Sequence, residues 1–144
     1  MKNLSTEIVI AASPEKIWEV LLNFAEYPEW NPFIKIEGKP VVGTHLKNTM
    51  MLEGRSPQIF KPELLVVDAP NELRWLGKLF VSGLFDGEHY FLLEPIDEQH
   101  TRLVHGENFR GILVGILMKM IGENTRNSFE RMNVALKRRV EEGQ

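Results

Sequence analysis

Three residues with acid–base side chains stand at alternate positions in two strand-like runs. His89 shares one strand face with Phe91 and Leu93 in the run Gly87-Glu88-His89-Tyr90-Phe91-Leu92-Leu93-Glu94-Pro95. His105 and Glu107 share a face with Phe109 in Thr101-Arg102-Leu103-Val104-His105-Gly106-Glu107-Asn108-Phe109. Alternate residues of a strand point the same way. If the Phe- and Leu-rich faces turn inward, two imidazoles and a carboxylate turn inward with them. Such a group could move protons as general acid and base. It has the composition of a two-His, one-carboxylate metal site. It could equally hydrogen-bond to itself, to buried water or to a ligand. Structural and ligand-orienting roles outweigh catalysis here. No metal is assigned, because period-two spacing does not make ligands converge.

Other side chains could line the same space. Trp75 shares a face with Leu73, Gly77 and Leu79, and Gly77 leaves room beside the ring. Trp30 and Asn31 lie between two prolines, and Asn48 falls on the face of Leu46, Met50 and Leu52. Met118, Thr125, Phe129 and Met132 recur at helical spacing. Aromatic walls with a few placed polar groups are typical of small-molecule sites. The same rings and the Met/Phe stripe also serve as plain core.

The positioning elements follow from periodicity. Leu4, Thr6, Ile8 and Ile10 alternate as a half-buried strand. Ser13-Pro14-Glu15 is a helix start, and Ile17, Val20, Leu21 and Phe24 give that helix one apolar face. Tyr27-Pro28 stops it, leaving room for a second short helical turn before Pro32. Strands are predicted over Phe33 to Glu37, Thr44 to Glu53, Gln58 to Asp68, Leu73 to Leu79, Gly83 to Glu94 and Thr101 to Phe109. Pro62 interrupts the third of these and marks an edge or bulge.

A long helix spans most of Ile112 to Glu142, with a stripe at Val114, Met118, Ile121, Thr125, Phe129, Met132, Leu136 and Val140. Lys119–Glu123 and Arg126–Glu130 are spaced for i,i+4 ion pairs. Gly115 and Gly122 weaken its start, so 111–122 is expected to be a separate or mobile segment, or an exposed docking patch. One helix cannot close seven strands by lying flat on them. The expectation is an α+β helix-grip domain over 1–144: a curved seven-stranded antiparallel sheet around a long C-terminal helix, with two short helices after strand 1.

Composition narrows the function. The chain has 144 residues, 43% hydrophobic and 26% charged, with net charge −3, which argues against a nucleic-acid partner. The cluster Lys137-Arg138-Arg139 is followed by Glu141 and Glu142 and suits a helix C-terminus. There is no cysteine, which removes disulfides and thiolate chemistry. The longest apolar run, Ile112 to Ile121, is broken by Gly115 and Lys119, too short for stable membrane insertion. A cytoplasmic protein without cofactor, as monomer or weak homodimer, is expected. Phosphate loops, nucleophile elbows and His-Glu-x-x-His motifs are absent.

The chain resembles the START-like, Bet v 1-like superfamily, and within it the polyketide cyclase/dehydrase and lipid-transport group. The resemblance is carried by Ala12-Ser13-Pro14-Glu15-Lys16-Ile17-Trp18, by Tyr27-Pro28-Glu29-Trp30-Asn31-Pro32-Phe33, and by the two alternating runs ending at Pro95 and Gly111. It implies a cavity between sheet and C-terminal helix that takes an apolar or polycyclic ligand such as a lipid, isoprenoid or polyketide-like compound. On that reading Trp30, Trp75, Phe91, Phe109, Met118, Phe129 and Met132 line the cavity. His89, His105, Glu107 and Asn31 orient polar atoms of the guest, with Thr125 on the helix side. The rival is an aromatase/cyclase or dehydratase in which His105 and Glu107 move protons. A protein-interaction module is a third reading, since fold analogy does not name an activity.

Overall fold

The side chains that alternate in the sequence alternate in space. The computed structural model describes residues 1–79 and 81–143. Strand β1 (Lys2–Ile10) buries Leu4, Thr6 and Ile10 and exposes Ser5, Glu7 and Val9. Helix α1 (Pro14–Leu22) begins at Ser13, whose Oγ accepts from the Lys16 amide, and it buries Ile17, Trp18 and Leu21. A 3₁₀ helix, Phe24–Glu29, follows. It is held by the Tyr27 hydroxyl, which donates to the Leu21 carbonyl at 2.6 Å.

The remaining strands are β2 (Ile34–Glu37), β3 (Lys47–Met50), β4 (Gln58–Phe60), β5 (Glu63–Asp68), β6 (Glu72–Lys78), β7 (Asp86–Asp97) and β8 (His100–Arg110). All pairings are antiparallel, in the orders β1-β8-β7-β6-β5 and β2-β3-β4. Among the described residues eight strands therefore stand where seven were expected. The expected strand over 58–68 is divided at Pro62, which has no N–H to give a ladder. The division is local. Leu46 N bonds to Pro62 O and Leu64 N to Thr44 O, both at 2.9 Å, so the β3–β4 hairpin runs on into β5. One curled surface results.

Helix α2 (Val114–Glu142) is continuous over 29 residues, so 114–122 is part of the long helix and not the separate segment offered as one alternative. Its start is tied to the preceding loop by Ile112 N to Gly83 O and Leu113 N to Leu84 O. Gly111 adopts φ +131°, and a Cβ there would overlap the Leu84 carbonyl oxygen, so the turn requires glycine. Tertiary anchoring offsets the weak propensity of Gly115 and Gly122. Ile112, Ile116 and Met120 lie on the outward face of this start and are exposed, while Val114 and Met118 are buried.

The ion pairs expected along α2 are not formed among the described residues. Arg126 instead donates to the Ser5 carbonyl, and the i,i+4 pair that forms is Lys137–Glu141 at 2.6 Å. Arg139 reaches Glu26 and Glu29 of the 3₁₀ helix. Tertiary partners outcompete exposed local pairs worth only a few tenths of a kcal/mol.

The helix packs chiefly on β1, β8 and α1, not centrally over the sheet. Space is left between its N-terminal half and the strands farther from β1. Among the described residues no helix is long and apolar enough to cross a membrane.

Candidate functional site

Beneath the N-terminal half of α2 lies a cavity of about 220 Å³, walled by β2, β3, β4, β6, β7, β8 and the helix. Its walls are mainly apolar: Ile34, Met50, Leu52, Phe60, Trp75, Leu79, Phe85 and Phe109 from the sheet and its loops, Leu117 and Ile121 from α2. Phe85 stacks on Phe109 with centroids 5.3 Å apart, making one flat wall. Polar groups are few. His89, Glu107, Asn48 and Thr125 reach the cavity lining, with Arg55 and Gln58 beside them.

The three acid–base residues are brought together as the parity argument expects. Glu107 is the direct cross-strand partner of His89, and His105 of Phe91. Their side chains form a line instead of a cluster. Glu107 Oε1 lies 3.1 Å from His89 Nδ1, and His89 Nε2 lies 2.7 Å from His105 Nε2. His105 Nδ1 is 2.8 Å from Asn133 Oδ1 on α2. Asn133 Nδ2 donates to Thr6 Oγ1, and Thr6 Oγ1 donates to the His105 carbonyl oxygen, each at 2.8 Å. The chain of bonds thus runs from the cavity, through the core, to the β1–β8 ladder. His89 Nε2 and His105 Nε2 face each other, and among the described residues no group of three His, Cys, Asp or Glu side chains is placed to hold a metal ion.

The surroundings are apolar. His105 is sandwiched between Phe91 and Phe129, with centroids 4.4 and 4.3 Å from its own. His89 stacks on Trp75 at 4.8 Å. Burial disfavours charge on both rings. It pushes His89 down to about 3. His105 is held well below the usual imidazole range by burial first and by His89 second, with the bond to Asn133 opposing. Burial raises Glu107 to about 8, so its carboxyl carries a proton at neutral pH. The carboxyl fits only because Gly87 has no Cβ: one built there would overlap Glu107 Oε2.

The other expected site residues divide in two. Trp75, Phe109 and Thr125 line the cavity with His89 and Glu107. Phe91, His105, Phe129 and Met132 are wholly buried behind that wall, and Met118 is buried beside them. Trp30 lies away from the cavity lining, its ring 4.9 Å from Tyr27. Asn31 is also outside it, where Oδ1 accepts from the Phe33 and Ile34 amides at 2.8 and 3.0 Å. Asn31 thus secures the entry to β2.

Two members of the hydrogen-bonded line, Asn133 and Thr6, were not identified from the sequence. Asn133 had a signal: it stands four residues after Phe129 and eight after Thr125, on the stripe that α2 buries.

This architecture, a curled antiparallel sheet around one long C-terminal helix with a cavity between them, defines a helix-grip protein. The chain belongs to the polyketide cyclase / dehydrase and lipid transport family, whose model matches residues 1–141. No curated protein matches the sequence. Among solved structures it is similar to norcoclaurine synthase from Thalictrum flavum, solved in complex with dopamine and hydroxybenzaldehyde. That likeness has 20% identity and TM-score 0.76 over 99% of this chain and 88% of that one. A START superfamily protein from Mycobacterium smegmatis is similar at 20% identity and TM-score 0.76, over 99% of both chains. The di-domain ARO/CYC BexL of the BE-7585A biosynthetic pathway matches at 10% identity and TM-score 0.73, over 95% of this chain and 47% of that one. At such identities the likeness is one of fold.

Proposed function

We propose that this protein binds a small hydrophobic molecule in the cavity between the sheet and α2, as a carrier or sensor. The observation that carries the reading is the cavity itself: about 220 Å³, apolar on most sides and reached by only a few polar side chains. Burial of apolar guest surface supplies the driving force. A cavity of about 150 Å³ lined by apolar side chains accommodates benzene, so this one suits a guest of one or two rings without rearrangement. A long-chain lipid would need the 51–57 loop at the cavity mouth to open.

The hydrogen-bonded line favours binding over proton transfer. Burial disfavours charge on both histidines, so neither serves as a proton store for a group at the cavity. His105 does not reach the cavity, which separates it from any substrate there.

Native mass spectrometry of freshly purified protein, with a solvent extract analysed in parallel, tests the reading. Retained apolar small-molecule adducts in the wild type, absent from Ile121→Trp, support it. A clean mass, unchanged after exposure to mixed lipids, isoprenoids and aromatics, refutes it.

A further inference from the structure

The directions of the buried hydrogen bonds determine what the cavity can recognise. Thr6 has one hydroxyl proton, and the His105 carbonyl can only accept, so that proton is committed there. Thr6 Oγ1 must then accept from Asn133, which places the amide nitrogen of Asn133 toward Thr6 and its oxygen toward His105. His105 Nδ1 therefore carries a proton. A neutral His105 then offers a lone pair at Nε2, so His89 Nε2 must donate to it. What remains at His89 Nδ1 is one proton shared with Glu107 Oε1. Wherever that proton sits, it lies between those two atoms. Glu107 Oε2 is left as a bare acceptor with no hydrogen-bond partner among the described residues.

A second polar side chain lines the same cavity. Asn48 is 2% exposed and lines the cavity, and no hydrogen bond among the described residues fixes which end of its amide faces a guest. An acceptor held away from water favours a guest that donates to it and disfavours a guest that presents another lone pair. Positive charge on the guest is not called for, because Glu107 and His89 together are neutral while they share a proton.

We infer that the cavity selects uncharged one- or two-ring compounds bearing a hydroxyl, an alcohol or a phenol, with Glu107 Oε2 as the acceptor. This rests on the small-molecule reading above. It adds the ligand class and the atom that reads it.

The test compares four probes of one shape by titration calorimetry at pH 7: 2-naphthol, its isostere 2-methylnaphthalene, 2-naphthoate and 2-naphthylmethylammonium. The expected result is binding of the hydrocarbon, binding of 2-naphthol about tenfold tighter or more, and rejection of the carboxylate. Glu107→Leu should lose the preference for 2-naphthol while still taking 2-methylnaphthalene. Glu107→Gln should restore it, because the amide must give N–H to His89 and turn its carbonyl to the cavity. Equal affinity for naphthol and hydrocarbon overturns the inference and leaves the small-molecule reading intact. Tighter binding of the ammonium probe also overturns it, in favour of a cation site at an ionised Glu107. Failure of all four probes overturns both. Should Glu107→Leu not fold, the wild-type ratio of naphthol to methylnaphthalene affinity decides alone.

Discussion

Replacing Glu107 with glutamine should make the protein progressively more stable than wild type as pH rises. Burial holds the Glu107 carboxyl near 8 in the folded protein, against 4.5 when unfolded. A raised carboxyl stabilises the fold fully only below the unfolded value, where both states are protonated. Above pH 4.5 the unfolded chain releases the proton and the folded one keeps it, so stability drains away until the folded group ionises near pH 8. The slope is about 1.4 kcal/mol per pH unit, so the full swing between those limits is about 5 kcal/mol. Glutamine preserves the donor to His89 Nδ1 and does not titrate. All other groups cancel in the difference between the two proteins. Both share the acid limb of His89 and His105, whose lowered values stabilise above pH 6.5 and cease to do so as pH falls below it. Urea unfolding followed by tryptophan fluorescence at pH 5, 6, 7 and 8 measures the difference directly, with Trp75 stacked on His89 as a local reporter. A difference that is flat across this range would mean that Glu107 ionises in the fold as it does in the unfolded chain. The acceptor argument at Oε2 would then lose its neutral starting point.

Further outcomes follow from the same geometry. Asn133→Ala leaves the buried His105 Nδ1–H without its side-chain acceptor, and chemical denaturation should show a loss of about 2–3 kcal/mol. Gly87→Ala puts a methyl where Glu107 Oε2 lies, so the alkaline loss of stability and the preference for 2-naphthol should weaken together. Thr6→Val removes the hydroxyl that directs Asn133; calorimetry should then show a smaller naphthol preference although Thr6 lies outside the cavity lining. Ile121→Trp should abolish uptake of 2-methylnaphthalene while changing stability by less than about 1.5 kcal/mol, since the added ring enters open space instead of packed core.

The element order and the inward histidines were legible because a strand has a rigid period of two: the alternation that buries Leu93 and Leu103 also buries His89 and His105. The break at Pro62 was visible, but its outcome depended on whether Thr44 and Leu46 stayed close enough to carry the hairpin past it. Asn133 was hidden by residue type. A polar side chain beside Met132 reads as a solvated neighbour until its angular position on α2 is compared with Phe129. Trp30 stands outside the cavity lining, and nothing local in the sequence distinguishes a ring that meets the cavity from one that packs on Tyr27. The off-centre seat of α2 on β1 and β8 decided which of its side chains meet the cavity. That seat is a tertiary fact without a sequence period.

The buried line also bears on how α2 holds its place. A stripe of Met118, Phe129, Met132 and Leu136 gives apolar attraction with little preference for one axial position, since methionine adapts to many surfaces. Asn133 supplies that preference. Its two amide atoms meet Thr6 on β1 and His105 on β8, and His105 meets His89 on β7. Sliding the helix by one residue would strand three polar groups in the core at once, each costing about 1–3 kcal/mol. The network therefore specifies the seating of the helix whether or not it adds net stability. The same seating sets the gap that becomes the cavity. One backbone carbonyl in the β1–β8 ladder thus sets the direction of every bond in the line that seats α2.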